Sequence, residues 1–112
     1  MSDNITFFCL VEGDSKEEVF EVEIEKKKSV SFLKEKIKEK VHPEFENVAT
    51  KKIVLWKVNI PSGNDTMAVK IILNDIQDKL KLSSPTKIIN KVFTENITDD
   101  FINIIIERPS SR

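Results

Sequence analysis

The sequence predicts an α+β fold in which one mixed sheet lies over one main helix. Three observations predict it. Residues 29–41, Ser-Val-Ser-Phe-Leu-Lys-Glu-Lys-Ile-Lys-Glu-Lys-Val, form the clearest helical stretch in the chain. Within it Val30, Leu33, Ile37 and Val41 recur at spacings of three and four, which puts them on one face. Strand-like runs both precede and follow it.

Each element has a local reason. Ile5-Thr6-Phe7-Phe8-Cys9-Leu10-Val11 is β-branched and aromatic, as strands are. Residues 12–16 are turn-forming. Residues 19–24 alternate, with Phe20, Val22 and Ile24 on one face, and make a hairpin with the first run. Ser29 is placed to cap the helix through its hydroxyl, and Pro43 ends it. Ile53-Val54-Leu55-Trp56-Lys57-Val58 is a third strand, apolar on both faces. Residues 61–66 have a loop composition. Val69, Leu73, Ile76 and Leu80 then suggest a second helix around 68–81. Residues 86–93 fit a short helical turn whose Ile89, Val92 and Phe93 plug the core. Residues 101–107 are the last strand, and Pro109-Ser110-Ser111-Arg112 reads as the start of a linker after a domain at 1–108.

Composition narrows function by exclusion. A chain of 112 residues with 39% hydrophobic and 33% charged residues is one globular domain, long enough to bury a core. A net charge of -1 argues against a general nucleic-acid or anionic-membrane binder. No apolar run has the length of a membrane span, and Met1-Ser2-Asp3-Asn4 lacks the basic start of a signal peptide. Cys9, the only cysteine, reads as a small apolar core residue, with a bridge between two copies as the alternative. His42, the only histidine, has no ligand partners at useful spacing and reads as a helix-end residue. Lys26-Lys27-Lys28 reads as a solvated turn. We find no glycine-rich phosphate loop and no nucleophile with a base, and Asp99-Asp100 reads as a turn. No catalytic residue, metal or cofactor is therefore expected.

The element order around the 29–41 helix is that of a β-grasp, the ubiquitin-like fold. Its first and last strands lie parallel in the sheet centre, where both tend to be apolar. Phe7–Val11 and Ile102–Ile106 have that character. The segment 67–82 is longer than ubiquitin needs. A ubiquitin-like modifier is disfavoured, because the glycines are Gly13 and Gly63 and the sequence ends without a di-glycine.

Four stretches, in order, resemble the N-terminal domain of the Crinkler effectors, the crinkling- and necrosis-inducing family. Phe8-Cys9 followed by Gly13 resembles the family's opening strand. Ile53-Val54-Leu55-Trp56-Lys57 sits where the oomycete LxLFLAK motif falls, with Trp56 in place of alanine, which points to a fungal-type member. Ser84-Pro85-Thr86 with Val92-Phe93 resembles the stretch before the last strand. Residues 102–109, Ile-Asn-Ile-Ile-Ile-Glu-Arg-Pro, resemble the I-H-I-I-V-x-R-P ending. The resemblance implies a non-catalytic module of a secreted effector. It would act in delivery to a host cell, with a downstream domain acting there, often in the nucleus. An intracellular ubiquitin-like adaptor is the alternative, and a downstream nuclease-, kinase- or NTPase-like domain would separate the two.

Alternation also names a working surface. Ile53 and Leu55 share one face of the third strand; Val54, Trp56 and Val58 share the other. With Ile53, Leu55, Ile102, Ile104 and Ile106 towards the helix, Val54, Trp56, Val58 and Ile105 form a second face rimmed by Lys57 and Glu107. Two readings stay open. The face is a protein-contact patch, serving self-association as a homodimer or a host protein partner, or the long 59–82 segment folds over it and buries it.

Overall fold

The structure is a computed structural model that describes residues 4–41, 48–61, 72, 73, 76, 78–93 and 101–107. His42, Pro43, Asp99, Asp100 and the linker reading of Pro109–Arg112 lie outside the described residues. Among the described residues five strands and two α-helices run in the order β1 (Asn4–Val11), β2 (Phe20–Glu25), α1 (Val30–Lys40), β3 (Leu55–Pro61), β4 (Leu80–Lys81), α2 (Ile89–Val92), β5 (Phe101–Ile106). The sheet order is β2-β1-β5-β3-β4. β1 and β5 run parallel in the middle while β2, β3 and β4 pair antiparallel with their neighbours, which is the β-grasp arrangement.

Helix α1 starts where its cap predicts. The Phe32 N–H donates to Ser29 Oγ at 3.2 Å. The two donors before it are satisfied from a distant segment: Val30 N–H donates to the Lys87 carbonyl and Ser31 N–H to the Pro85 carbonyl. Ile89 and Asn90 return the arrangement, donating to the carbonyls of Lys28 and Lys26. Residues 85–90 are thus clamped along 26–31, which fixes the short helix α2 at the start of α1.

The helix-side core takes alternate residues from the central strands. Phe7, Cys9 and Val11 of β1, Val22 and Ile24 of β2, Leu55, and Ile104 and Ile106 of β5 meet Val30, Leu33 and Ile37 of α1. Ile89 and Phe93 close it, with the Phe93 ring 4.4 Å from that of Phe7. Cys9 is wholly buried and free, and burial pushes its thiol pKa far above the usual range.

Two elements depart from expectation. The helix anticipated over 68–81 does not hold at its end, because Leu80–Lys81 is strand β4, pairing with Lys57 and Trp56. Periodicity misled here because Leu73, Ile76 and Leu80 keep helical spacing while meeting different neighbours: Leu73 and Ile76 reach the far face of the sheet, and Leu80 lies exposed on an edge strand. Ile72 is exposed, and the remaining residues of 67–77 lie outside the described set. Ile102, expected on the helix side, instead joins the far-face cluster. The register of β3 on β5 shifts between Lys57 and Ile60, so that three steps along β3 match two along β5, from Ile104 to Ile102. This bulge places Ile102 opposite Ile60, and directly opposed side chains share a face.

Asn103 is a polar residue inside the central strand, almost fully buried. The β1–β5 ladder runs only from Cys9 to Val11 on β1. Just before it the Phe8 N–H donates to Asn103 Oδ1 at 2.9 Å. The amide side chain thus supplies the acceptor that the neighbouring backbone does not.

Candidate protein-contact site

The far face of the sheet is where the sequence places a contact patch, and the structure divides that patch in two. Trp56 and Ile105, placed on one face by alternation, are direct partners across β3 and β5. Ile105 is wholly buried and Val58 nearly so, in a cluster with Leu10, Ile102 and Leu73. Ile76, Ile60, Val19 and Trp56 pack against that cluster. Of the two readings left open, cover holds for Ile105 and Val58, which do not face outward as a contact patch needs: Leu73 and Ile76, from the long segment after β3, lie over them. Such a cover removes branched aliphatic surface from water at about 25 cal/mol per Å², which is why an apolar face of this kind rarely stays bare.

Val54 and Trp56 remain half-buried. The indole is held rather than loose. Trp56 Nε1 donates to Glu107 Oε1 at 3.0 Å, and the Glu107 backbone N–H donates to the Val54 carbonyl at 2.9 Å. Lys79 places its ammonium 5.8 Å from the Trp56 ring centroid while donating to the Ile76 carbonyl at 2.9 Å. A half-exposed indole with its N–H satisfied and a cation over its ring is a rigid amphipathic surface, with little side-chain entropy left to lose on contact.

Lys57, expected on the rim of this face, is on the other. It has the parity of Leu55, and its ammonium donates to the Val92 carbonyl at 3.0 Å, 5.3 Å from the Phe93 ring centroid. The cation beside Trp56 is Lys79, which sequence reasoning missed. No local signal marks Lys79; only the pairing of β4 with β3 brings its neighbourhood there. Ile53 and Leu55, the other members of the third-strand motif, are buried in the helix-side core as alternation requires.

The described residues contain no group of three His, Cys, Asp or Glu side chains placed to hold a metal ion. No described helix is long and apolar enough to cross a membrane.

Comparison with known proteins connects this geometry to a family. The model of the Crinkler effector protein N-terminal domain matches residues 5–107, from the first strand to the end of the last. Crinkler effector protein 1 of Rhizophagus irregularis is 31% identical over 108 residues, which are 96% of this chain and 22% of that protein. The chain thus spans about a fifth of the length of the curated relative it matches. No solved structure matches it.

Proposed function

Because the chain belongs to the Crinkler effector family, as its N-terminal domain, we propose that it is the non-catalytic delivery and protein-contact module of a secreted effector. Its direct role is to bind protein, by self-association or through a host partner, at the surface made by Val54, Trp56, Lys79 and Glu107. One observation carries the contact reading: Trp56 keeps part of its indole exposed although the apolar residues beside it are covered, and both its N–H and its ring are fixed by neighbours. Tryptophan in such a setting is the residue type most enriched among binding hot spots. The buried Val58 and Ile105 support the site from beneath.

Delivery is tested with the full-length protein expressed in its own microbe with a reporter at its C-terminus. Reporter signal inside host cells, reduced when residues 1–108 are deleted, is the expected result. Signal retained only inside the microbe would overturn the secreted reading and favour an intracellular adaptor.

A further inference from the structure

The Trp56 face leaves one feature of the fold unused, a groove on the opposite flank of β4. Among the described residues strand β4 ends the sheet, with no further strand on its outer edge. The groove along it has a volume of about 240 Å³ and an apolar floor of Val30, Leu82 and Val92. Lys81, Lys87 and Lys91 line it, and among the described residues no Asp or Glu does. Among the described residues none of these three lysines has an ion-pair partner. In a chain of net charge -1 this is a marked local segregation of charge. The opposite edge strand, β2, exposes Glu21, Glu23 and Glu25.

Lys34 adds an independent observation. It follows Val30 by one helical turn on α1, so it extends the same wall. Its residue is only 8% exposed, yet it has no hydrogen-bond or ion-pair partner among the described residues. Its aliphatic stem is packed away while its ammonium reaches the surface, because no described buried side-chain nitrogen lacks a partner; partial burial, and then the nearby charge of Lys81, disfavour its charged form. An anion beside Lys34 and Lys81 relieves both at once. The first-turn N–H groups of α1 are already taken by Lys87, Pro85 and Ser29, so the helix terminus itself is not the attraction.

The backbone sets the form of the ligand. Leu82 N–H donates inward to the Leu55 carbonyl at 2.9 Å. In an antiparallel ladder neighbouring residues point their N–H and C=O to opposite sides, so those of Lys81 point away from β3, towards the groove side. An outward donor and acceptor that no described residue takes up, an apolar floor and a basic rim together fit an extended peptide that adds to β4 as a further strand. We propose that this groove binds an extended protein segment in which apolar and acidic residues alternate. The apolar side chains enter over Val30, Leu82 and Val92, and the carboxylates meet Lys34, Lys81, Lys87 and Lys91. A phosphate or a nucleic acid satisfies the charge but uses neither the floor nor the strand edge.

The test is a titration of the isotope-labelled chain with a synthetic peptide of about ten residues alternating valine and glutamate, followed by amide NMR shifts. Three controls accompany it: the same peptide with alternate backbone nitrogens methylated, a single-stranded oligonucleotide of equal charge, and inorganic phosphate. Shifts at residues 80–82 and 87–92 are expected, with affinity falling about tenfold or more for the Lys87→Glu/Lys91→Glu variant and for the methylated peptide. Both lysines are exposed, so the variant keeps the wild-type circular dichroism spectrum. No binding of the peptide overturns the proposal. So does equal binding of the methylated peptide, or tighter binding of the oligonucleotide or phosphate at the same residues.

Discussion

Replacing Ile105 by alanine separates a buried second core from an interaction patch. Ile105 lies between Leu10 on β1 and Trp56 on β3 and is wholly removed from solvent. The substitution deletes three carbon atoms. At about 0.8 kcal/mol for each buried methylene, that is roughly 2.4 kcal/mol before any cavity is counted. The cavity term brings the loss to about 3 kcal/mol, within the usual range of about 2–5 kcal/mol for such truncations. A domain of this size is stable by roughly 5–15 kcal/mol, so the variant folds but is clearly weakened. Urea denaturation followed by tryptophan fluorescence reads the change. With a slope of about 2 kcal/mol per molar, the midpoint falls by about 1.5 M at unchanged slope. Leu80→Ala is the control, since Leu80 is 56% exposed on the edge strand; its midpoint moves by no more than about 0.5 kcal/mol of stability. A loss below about 1 kcal/mol for Ile105→Ala would refute the covered face and restore Ile105 to the surface.

Three further perturbations follow from the same contacts. Asn103→Ala strands the partly buried Phe8 N–H and costs about 1–3 kcal/mol by urea denaturation, and an unchanged midpoint would remove Asn103 from its bridging role. Lys34→Met removes a partly desolvated charge, keeps the apolar stem, and raises stability by up to about 0.5–1 kcal/mol at neutral pH. Burial, and then Lys81, lower the folded pKa of Lys34 below its ordinary 10.5. As pH rises between those two values the unfolded chain holds more protons than the folded one, so this contribution to stability climbs with pH. The advantage of the variant over wild type in urea melts shrinks through that window, and a constant advantage would contradict the cause assigned. Cys9, buried with its thiol pKa pushed up, reacts with a disulfide reagent slowly when folded and fast in urea; fast reaction of the folded protein would place the thiol at the surface.

Much of the fold is written in local pattern. The Ser29 cap and the Val30, Leu33, Ile37 stripe mark α1 because both signals lie within one short stretch. The apolar character of residues 7–11 and 102–106 marks the central parallel pair, since such strands are covered on both sides. What escaped notice depends on long-range partners. β4 is two residues long and becomes a strand only by pairing with Trp56 and Lys57. The bulge between Lys57 and Ile60 has no glycine to announce it, yet it decides which face takes Ile102. At the candidate site, alternation placed Trp56 and Ile105 on one face but could not choose between a bare and a covered face. That choice depends on Leu73 and Ile76, whose spacing reads equally well as a helix.

Light scattering of the chain across a wide concentration range tests the contact reading most directly, with Trp56→Ala measured beside it. Trp56 is half-buried and its loss breaks one hydrogen bond, so the variant remains folded, as circular dichroism will show. The expected result is a wild-type mass that rises from one copy, 12.9 kDa, towards two, with the rise lost or moved to higher concentration in the variant. A wild-type mass fixed at one copy over the whole range would contradict self-association through this surface.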